Sequence, residues 1–188
     1  MIDHFSFLAP YYDKLIGSSD TTRLKDILNI PVDGWILDAG GGTGRISSQF
    51  KDSSQGIIVC DLSWPMLKQS GNKNGVMPVN STVDSLPFAD NTIDRVLVVD
   101  ALHHFKNARL AVQEFIRVLK PGGKLVIEEF DINTLFVKCL AFAEKILLMG
   151  SHFYKPEEII QMAEYSGLNT DVVRNGKHSY WVTIEKVV

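Results

Sequence analysis

A glycine loop between an apolar strand and a helix start is the feature that most constrains how this chain folds. The apolar run Trp35–Ala39 leads into Gly-Gly-Gly-Thr-Gly at 40–44, and the next apolar run, 57–60, ends at Asp61. Glycines at the carboxyl end of a strand tolerate positive φ and let a ligand approach the backbone without meeting a Cβ. A carboxylate one βαβ unit later can accept hydrogen bonds from both ribose hydroxyls. The stretch therefore predicts a nucleoside-cofactor site rather than a plain connecting turn.

The remaining sequence alternates short apolar runs with amphipathic segments, a pattern typical of a parallel sheet covered by helices on both faces. Only Asn175-Gly176-Lys177 separates the last two apolar runs, and this hairpin sequence predicts that the sheet ends in an antiparallel strand. Strands are predicted at 35–39, 56–61, 76–80, 93–99, 123–130, 169–174 and 179–187. Helices are predicted over 20–30, 43–51, 64–70, 107–120, 133–149 and 155–166.

Length and composition indicate one globular domain over residues 1–188, with 45% hydrophobic and 22% charged residues. A net charge of −3, without a basic cluster among aromatic residues, argues against a nucleic-acid partner. Cys60 and Cys139 lie in apolar runs, so we expect neither a disulfide framework nor a metal site. No signal-peptide pattern and no apolar run long enough to span a membrane is present, and the sequence predicts a cytoplasmic protein.

Two other classes of protein share parts of this pattern. The dinucleotide fingerprint requires a third glycine where Arg45 stands, and the chain has no Tyr-x-x-x-Lys pair. An NAD(P)-dependent oxidoreductase is therefore a weaker alternative. A catalytically silent cofactor-binding subunit also stays open, because cofactor motifs do not prove turnover.

Asp38 stands two residues before Gly40, and the G-x-G-x-G loop that follows resembles motif I of the class I methyltransferases that use S-adenosylmethionine. Four further segments are similar to the small-molecule branch of that family, which carries the type 11 methyltransferase domain: 61–67, 83–90, 94–105 and 118–127. The resemblance implies an α/β, Rossmann-like, seven-stranded sheet in the order 3-2-1-4-5-7-6, with strand 7 antiparallel. It also implies S-adenosylmethionine as cofactor and S-adenosylhomocysteine as product, with no metal.

The resemblance implies a role for each residue of the cofactor site. Asp38 would face the methionyl ammonium, which a backbone carbonyl near Asp100 would also contact. Asp84 would receive the adenine amino group, although it could instead only cap the turn before Leu86. The full set of cofactor-binding residues expected is Asp38, Gly40, Gly42, Gly44, Asp61, Leu62, Val83, Asp84, Asp100 and Tyr12.

Three residues are candidates for contact with the acceptor. His103 and His104 follow strand four at the ligand-binding edge, where either could act as a base or substrate contact. Tyr12, followed by Asp13, is similar to the A-x-x-Y-D opening of the ubiquinone and menaquinone C-methyltransferases, in which the tyrosine closes over the sulfonium. Packing on the fold is the alternative for this tyrosine. The polar motif that follows strand four in the quinone-specific members is absent, so a lipophilic quinone-type acceptor is one hypothesis among small molecules.

Two segments are expected to cover the site. Residues 1–30 would form N-terminal cap helices, and residues 131–166 would form a substrate-covering insertion. Within the insertion, 135–149 is apolar over most of a helix circumference, with Lys138 and Lys145 on one face. It could pack in the core or a homodimer interface. It could also form a lid over a lipophilic acceptor, with peripheral membrane contact.

Overall fold

The computed structural model describes Asp13 and residues 21–132, 152–163 and 167–187. Its centre is a seven-stranded sheet in the order β3-β2-β1-β4-β5-β7-β6. The strands are β1 Trp35–Ala39, β2 Gly56–Asp61, β3 Val76–Asn80, β4 Ile93–Val99, β5 Leu119–Phe130, β6 Leu168–Asn175 and β7 Ser179–Lys186. All neighbours pair in parallel except β5 with β7 and β6 with β7. The α/β fold class, the strand order and the antiparallel seventh strand are confirmed.

Short helices connect and cover these strands. Asn107 begins the longest of the α-helices in the described ranges, because its side chain accepts a hydrogen bond from the Leu110 amide at 3.2 Å. None of the helices in these ranges is long and apolar enough to cross a membrane. The α-helices are α1 Thr22–Leu28, α2 Trp64–Ser70, α3 Ala108–Val118 and α4 Pro156–Met162, and the 3₁₀ helices are Ser47–Ser53 and Leu102–His104.

Side chains on alternate strand positions build a core on each face of the sheet. In β1, Ile36 packs in one hydrophobic cluster and Leu37 in the other. The Leu37 cluster includes Phe115 of α3, whereas the Ile36 cluster includes Phe50 of the first 3₁₀ helix and Leu28 of α1. Both faces of β1 are therefore buried, and only the strand ends remain for binding a ligand.

The helix predicted over 43–51 is wrong. Turns occupy 42–46, and the 3₁₀ helix Ser47–Ser53 follows. Gly44 and two successive serines are poor formers of an α-helix interior, and the segment offers few apolar side chains to hold one against the sheet. The helix predicted over 107–120 ends at Val118, and β5 starts at Leu119 rather than at 123.

The early start of β5 reflects a bulged segment at the lysine-proline-glycine sequence. Ile93 pairs with Leu119 and Arg95 with Lys124, so the β5 side is longer between these two pairs. Gly122, at φ 76°, lies in this segment. The helix predicted over 133–149 and most of the expected N-terminal cap lie outside the described residues.

Candidate cofactor site

The loop after β1 adopts a conformation that favours glycine. Gly40, Gly42 and Gly44 have φ values of 71°, 55° and 66°. A Cβ added at Gly40 would lie 2.9 Å from the Ala101 Cβ and from the Phe105 ring, so this position accepts no side chain without a shift. A Cβ at Gly42 would meet nothing closer than 3.7 Å. The loop therefore packs tightly against the segment after β4 and leaves space above Gly42.

That space is a cavity of about 210 Å³ at the carboxyl ends of β1, β2 and β4. Most of the predicted site residues border it: Asp38, Gly40, Gly42, Asp61, Leu62, Val83, Asp100 and His104. Its wall also contains residues for which we predicted no role in the site, among them Thr43, Arg45, Ser63, Met66, Ser81 and Phe105. Gly44, Asp84 and His103 are not part of its wall, and Tyr12 lies outside the described residues.

The Asp61 carboxylate is fixed between the glycine loop and the start of α2. Its Oδ2 accepts a hydrogen bond from the Gly42 amide at 2.9 Å, and its Oδ1 accepts one from the Ser63 amide at 2.7 Å. A carboxylate offers about four lone-pair positions, so it can accept further bonds from a ligand in the cavity. These two amides orient Asp61 as a ready acceptor for a pair of hydroxyl groups.

Two carboxyl groups give the cavity an electrostatic preference. Asp38 is 2% exposed, and burial, followed by repulsion from Asp61, raises its pKa to about 7. Burial, followed by the charges of Glu128 and Glu129, raises the pKa of Asp100 to about 7 as well, although part of this residue is exposed to the cavity. A positive charge in the cavity would favour the ionised form of both carboxyls. The donor set therefore fits a cationic ligand.

The region after β3 supplies an apolar wall and a carboxylate near it. Val83 borders the cavity, and Leu62 borders it from the other side with 72% of its surface exposed. Asp84 accepts a hydrogen bond from the Thr82 hydroxyl. Apolar groups that flank an open space suit a planar base, and Leu62 would lose exposed surface on binding one.

The structure separates the two histidines that sequence reasoning treated together. His104 borders the cavity, and burial, with a smaller effect of His103, lowers its pKa to about 4. His103 is 3% exposed, and its Nδ1 lies 2.9 Å from Oε2 of Glu129. In the sequence analysis, Glu129 was placed near the end of a predicted strand and was given no role in the site. The sequence signal that could have found Glu129 was the parallel pairing of β4 and β5. This pairing places Glu128 beside Val99, so Glu129 lies close to the segment that follows β4.

A second cavity of about 290 Å³ adjoins the first and shares Arg45, Ile46, Val99 and Asp100 with it. Arg45 was considered only as the residue that replaces a fingerprint glycine. In the structure it is the arginine in the wall of the first cavity. Arginine binds carboxylates through paired hydrogen bonds, so Arg45 is a candidate to bind the carboxylate of a ligand.

Asp13 contacts the glycine loop and a lysine beside it. Its Oδ1 accepts a hydrogen bond from the Thr43 hydroxyl at 2.5 Å, and its Oδ2 lies 2.6 Å from Nζ of Lys73. The same ammonium group donates to the Thr43 carbonyl at 2.6 Å. Although burial raises the pKa of Asp13, the hydrogen bonds from Lys73 and Thr43 lower it overall. The aspartate of the tyrosine-aspartate pair thus contacts the cofactor loop.

Comparison with known proteins agrees with this geometry. Residues 37–127 match the family model described as a methyltransferase domain. A demethylmenaquinone methyltransferase of Paenarthrobacter aurescens strain TC1 is 33% identical over 135 residues, which cover 68% of this chain and 53% of that protein. A demethylmenaquinone methyltransferase of Corynebacterium urealyticum is 37% identical over 153 residues, which cover 75% of this chain and 66% of that relative.

A solved structure from Thermotoga maritima, described as an S-adenosylmethionine-dependent methyltransferase and possible histamine N-methyltransferase, has the same fold. It matches with a TM-score of 0.80 at 20% identity, over 97% of this chain and 98% of that one. The strand order and the glycine loop together define a class I methyltransferase domain. Residues 37–127 are thus a methyltransferase domain, and the similarity of the chain to the quinone-biosynthesis C-methyltransferases is confirmed by the curated relatives. The chain matches about half the length of the first of these relatives.

Proposed function

We propose that the protein transfers the methyl group of S-adenosylmethionine to a small-molecule acceptor. The observation that carries the proposal is the cavity above the glycine loop, where Asp61 is held by two backbone amides beside a buried Asp38. When bound, the cofactor supplies an electrophilic methyl group on a sulfonium, and the positive charge disappears as the acceptor attacks. The residues must therefore position two ligands and exclude water, rather than stabilise a new charge.

Each part of the cavity suits one part of this cofactor. Asp61 would accept the ribose hydroxyls, since two amides already aim its oxygens. Val83 and Leu62 would contact the adenine. Asp38 would face the positively charged methionyl end, and Arg45 would bind its carboxylate.

His104 is the residue that we assign to the acceptor, as a hydrogen-bond acceptor rather than a strong base. A pKa of about 4 keeps its imidazole neutral at pH 7, so a ring nitrogen can accept a hydrogen bond. Full proton transfer from a phenolic hydroxyl of pKa about 10 would cost about 8 kcal/mol at 1.36 kcal/mol per unit. We therefore expect that the acceptor loses its proton only after methyl transfer has begun, or that water takes the proton.

The acceptor that we propose is a lipophilic quinol-type precursor. The curated relatives from Paenarthrobacter aurescens and Corynebacterium urealyticum bear the name demethylmenaquinone methyltransferase, which supports this class. The sequence Asp100-Ala101-Leu102-His103-His104, in place of the quinone-specific motif, argues for a changed acceptor within it. We treat a polar acceptor as the competing outcome of the test.

The test uses S-adenosylmethionine labelled in its methyl group, with separate lipid and aqueous extracts of the source cell. We expect label in the lipid extract, and much less label with Asp61→Ala at the same low concentration of S-adenosylmethionine. Label confined to the aqueous extract would move the acceptor to polar molecules. Tight binding of S-adenosylmethionine without transfer to either extract would refute the proposed activity and favour a silent subunit.

A further inference from the structure

Glu129, at the end of β5, is a buried carboxylate for which the proposed chemistry gives no role. It is 0% exposed, and its Oε1 accepts a hydrogen bond from the His103 amide at 3.1 Å. The His103 ring nitrogen Nδ1 lies 3.0 Å from Oε1 and 2.9 Å from Oε2. One carboxylate thus holds both the backbone and the side chain of a single residue.

Contacts on other sides also hold His103. Its ring stacks on Phe153, with 4.7 Å between the centroids and 15° between the planes. Its carbonyl oxygen accepts a hydrogen bond from the His152 amide at 2.8 Å. Turning this ring toward the cavity would leave the buried Glu129 charge without its partner, which is strongly unfavourable.

The next residue borders the cavity. The His104 ring lies 4.1 Å from the His103 ring between centroids, and the His104 amide donates to the Ala101 carbonyl at 3.0 Å. Both histidines belong to the 3₁₀ helix Leu102–His104, which is only three residues long. So short a helix has little rigidity of its own, and the position of His104 depends on what holds His103.

We propose that Glu129 is a positioning residue that fixes the Leu102–His104 helix and thereby sets the place and charge state of His104 in the cavity wall. The role of His104 toward the acceptor rests on the proposed function. The link from Glu129 to His104 rests on the contacts alone, so the two can fail separately.

The charges around His104 make this link measurable. His103 and Asp100 lie on its own segment, Glu128 and Glu129 come from β5, and His152 lies on the segment that covers His103. A carboxylate beside an imidazole favours the protonated ring, and the Glu129 carboxylate lies 2.9 Å from Nδ1 of His103. Burial and, to a smaller extent, the charge of His103 lower the pKa of His104. Removing the Glu129 charge would relieve the repulsion.

The experiment is an NMR titration of the ligand-free full chain with labelled histidine, in which His104→Gln assigns the signal. In Glu129→Gln we expect the pKa of His104 to rise by up to about one unit. Glu128→Gln is the matched control, since that carboxylate accepts from Asn175 at 2.7 Å and Trp181 at 2.8 Å instead. It should leave the His104 titration unchanged. His103→Asn should reproduce the rise, and it decides the matter if Glu129→Gln does not fold.

A second arm adds S-adenosylhomocysteine to the wild type and to Glu129→Ala. We expect the His104 signal to move in the wild type and not in the variant, while the dissociation constant changes less than about threefold. An unchanged His104 pKa in both Glu129→Gln and His103→Asn would overturn the proposal. Failure of the wild type to bind S-adenosylhomocysteine would instead refute the proposed function, and the titration would still decide the role of Glu129.

Discussion

Replacing Asp61 by alanine is the sharpest test of the cofactor site. In the structure its two oxygens accept hydrogen bonds from the Gly42 and Ser63 amides at 2.9 and 2.7 Å. The alanine variant removes the proposed bonds to the ribose hydroxyls and also leaves both amides without this acceptor. Removal of charge-assisted hydrogen bonds of this kind, with their partners left unmet, weakens binding by about 2 to 4 kcal/mol.

This loss corresponds to a dissociation constant for S-adenosylhomocysteine that is about 30 to 700 times larger, at 1.4 kcal/mol per tenfold. Asp61→Asn keeps one acceptor oxygen and should lose less, about 1 to 2 kcal/mol. Asp52→Ala, at an exposed position of the 3₁₀ helix after the loop, is a matched control that should bind normally. Isothermal titration calorimetry measures all three, and circular dichroism melting checks the fold of each variant.

Normal affinity in a folded Asp61→Ala would refute the assignment of the ribose to this carboxylate. Equal losses in Asp61→Ala and Asp61→Asn would show that charge, rather than the number of acceptor atoms, determines binding. A melting temperature that falls with the affinity would trace the effect to the two amides of the loop, and the ribose would then need another partner.

Three further predictions concern the loop and its charges. Gly40→Ala should lower the free energy of unfolding by about 2 to 4 kcal/mol, whereas Gly122→Ala, also at positive φ but with nothing within 4 Å, should cost about 1 to 2 kcal/mol in the same denaturant titration. Asp13→Asn should lower the free energy of unfolding by about 0.5 to 1 kcal/mol at pH 7 in thermal melts, because the pKa of Asp13 is lowered on folding. The stability that this carboxylate contributes is present above its unfolded pKa and is lost as the pH falls through its folded pKa. A cost of the same size at pH 2 would contradict this prediction. Cofactor affinity should rise about threefold to tenfold from pH 6 to 8 as Asp38 ionises, and calorimetry should show a flatter profile in Asp38→Asn.

Strands β1 and β2 could be predicted because hydrophobic burial on both faces produces nearly continuous apolar runs. The runs at 35–39, 56–61, 76–80 and 93–99 agree with β1 to β4 at both ends. The segment after the glycine loop was mispredicted because local propensity and tertiary packing compete there. Ile46 and Phe50 bury their side chains, yet the glycine and serines around them do not favour an α-helix.

The cofactor side of the site could be predicted for a similar reason. Parallel strands bring their carboxyl ends to one edge, so Asp38, Asp61 and Asp100 had to lie near one another once the strand order was known. The separate environments of His103 and His104 could not be predicted. They depend on which ring reaches Glu129, 26 residues further along the chain, and no local pattern encodes that choice.

The cavity keeps features that would be unfavourable without a ligand. Asp100 has a φ of 51°, a conformation that is costly for a residue with a Cβ. The carboxyl groups of Asp100 and Asp38 each have a pKa raised to about 7. Because both raised pKa values lie above the value for an unfolded aspartate, these groups lower stability increasingly as the pH rises from about 4 to 7. A bound cation would reverse this effect, since it favours the ionised carboxyls. Ligand binding and folding stability should therefore be coupled most strongly near and above neutral pH, where the unliganded site is least favourable.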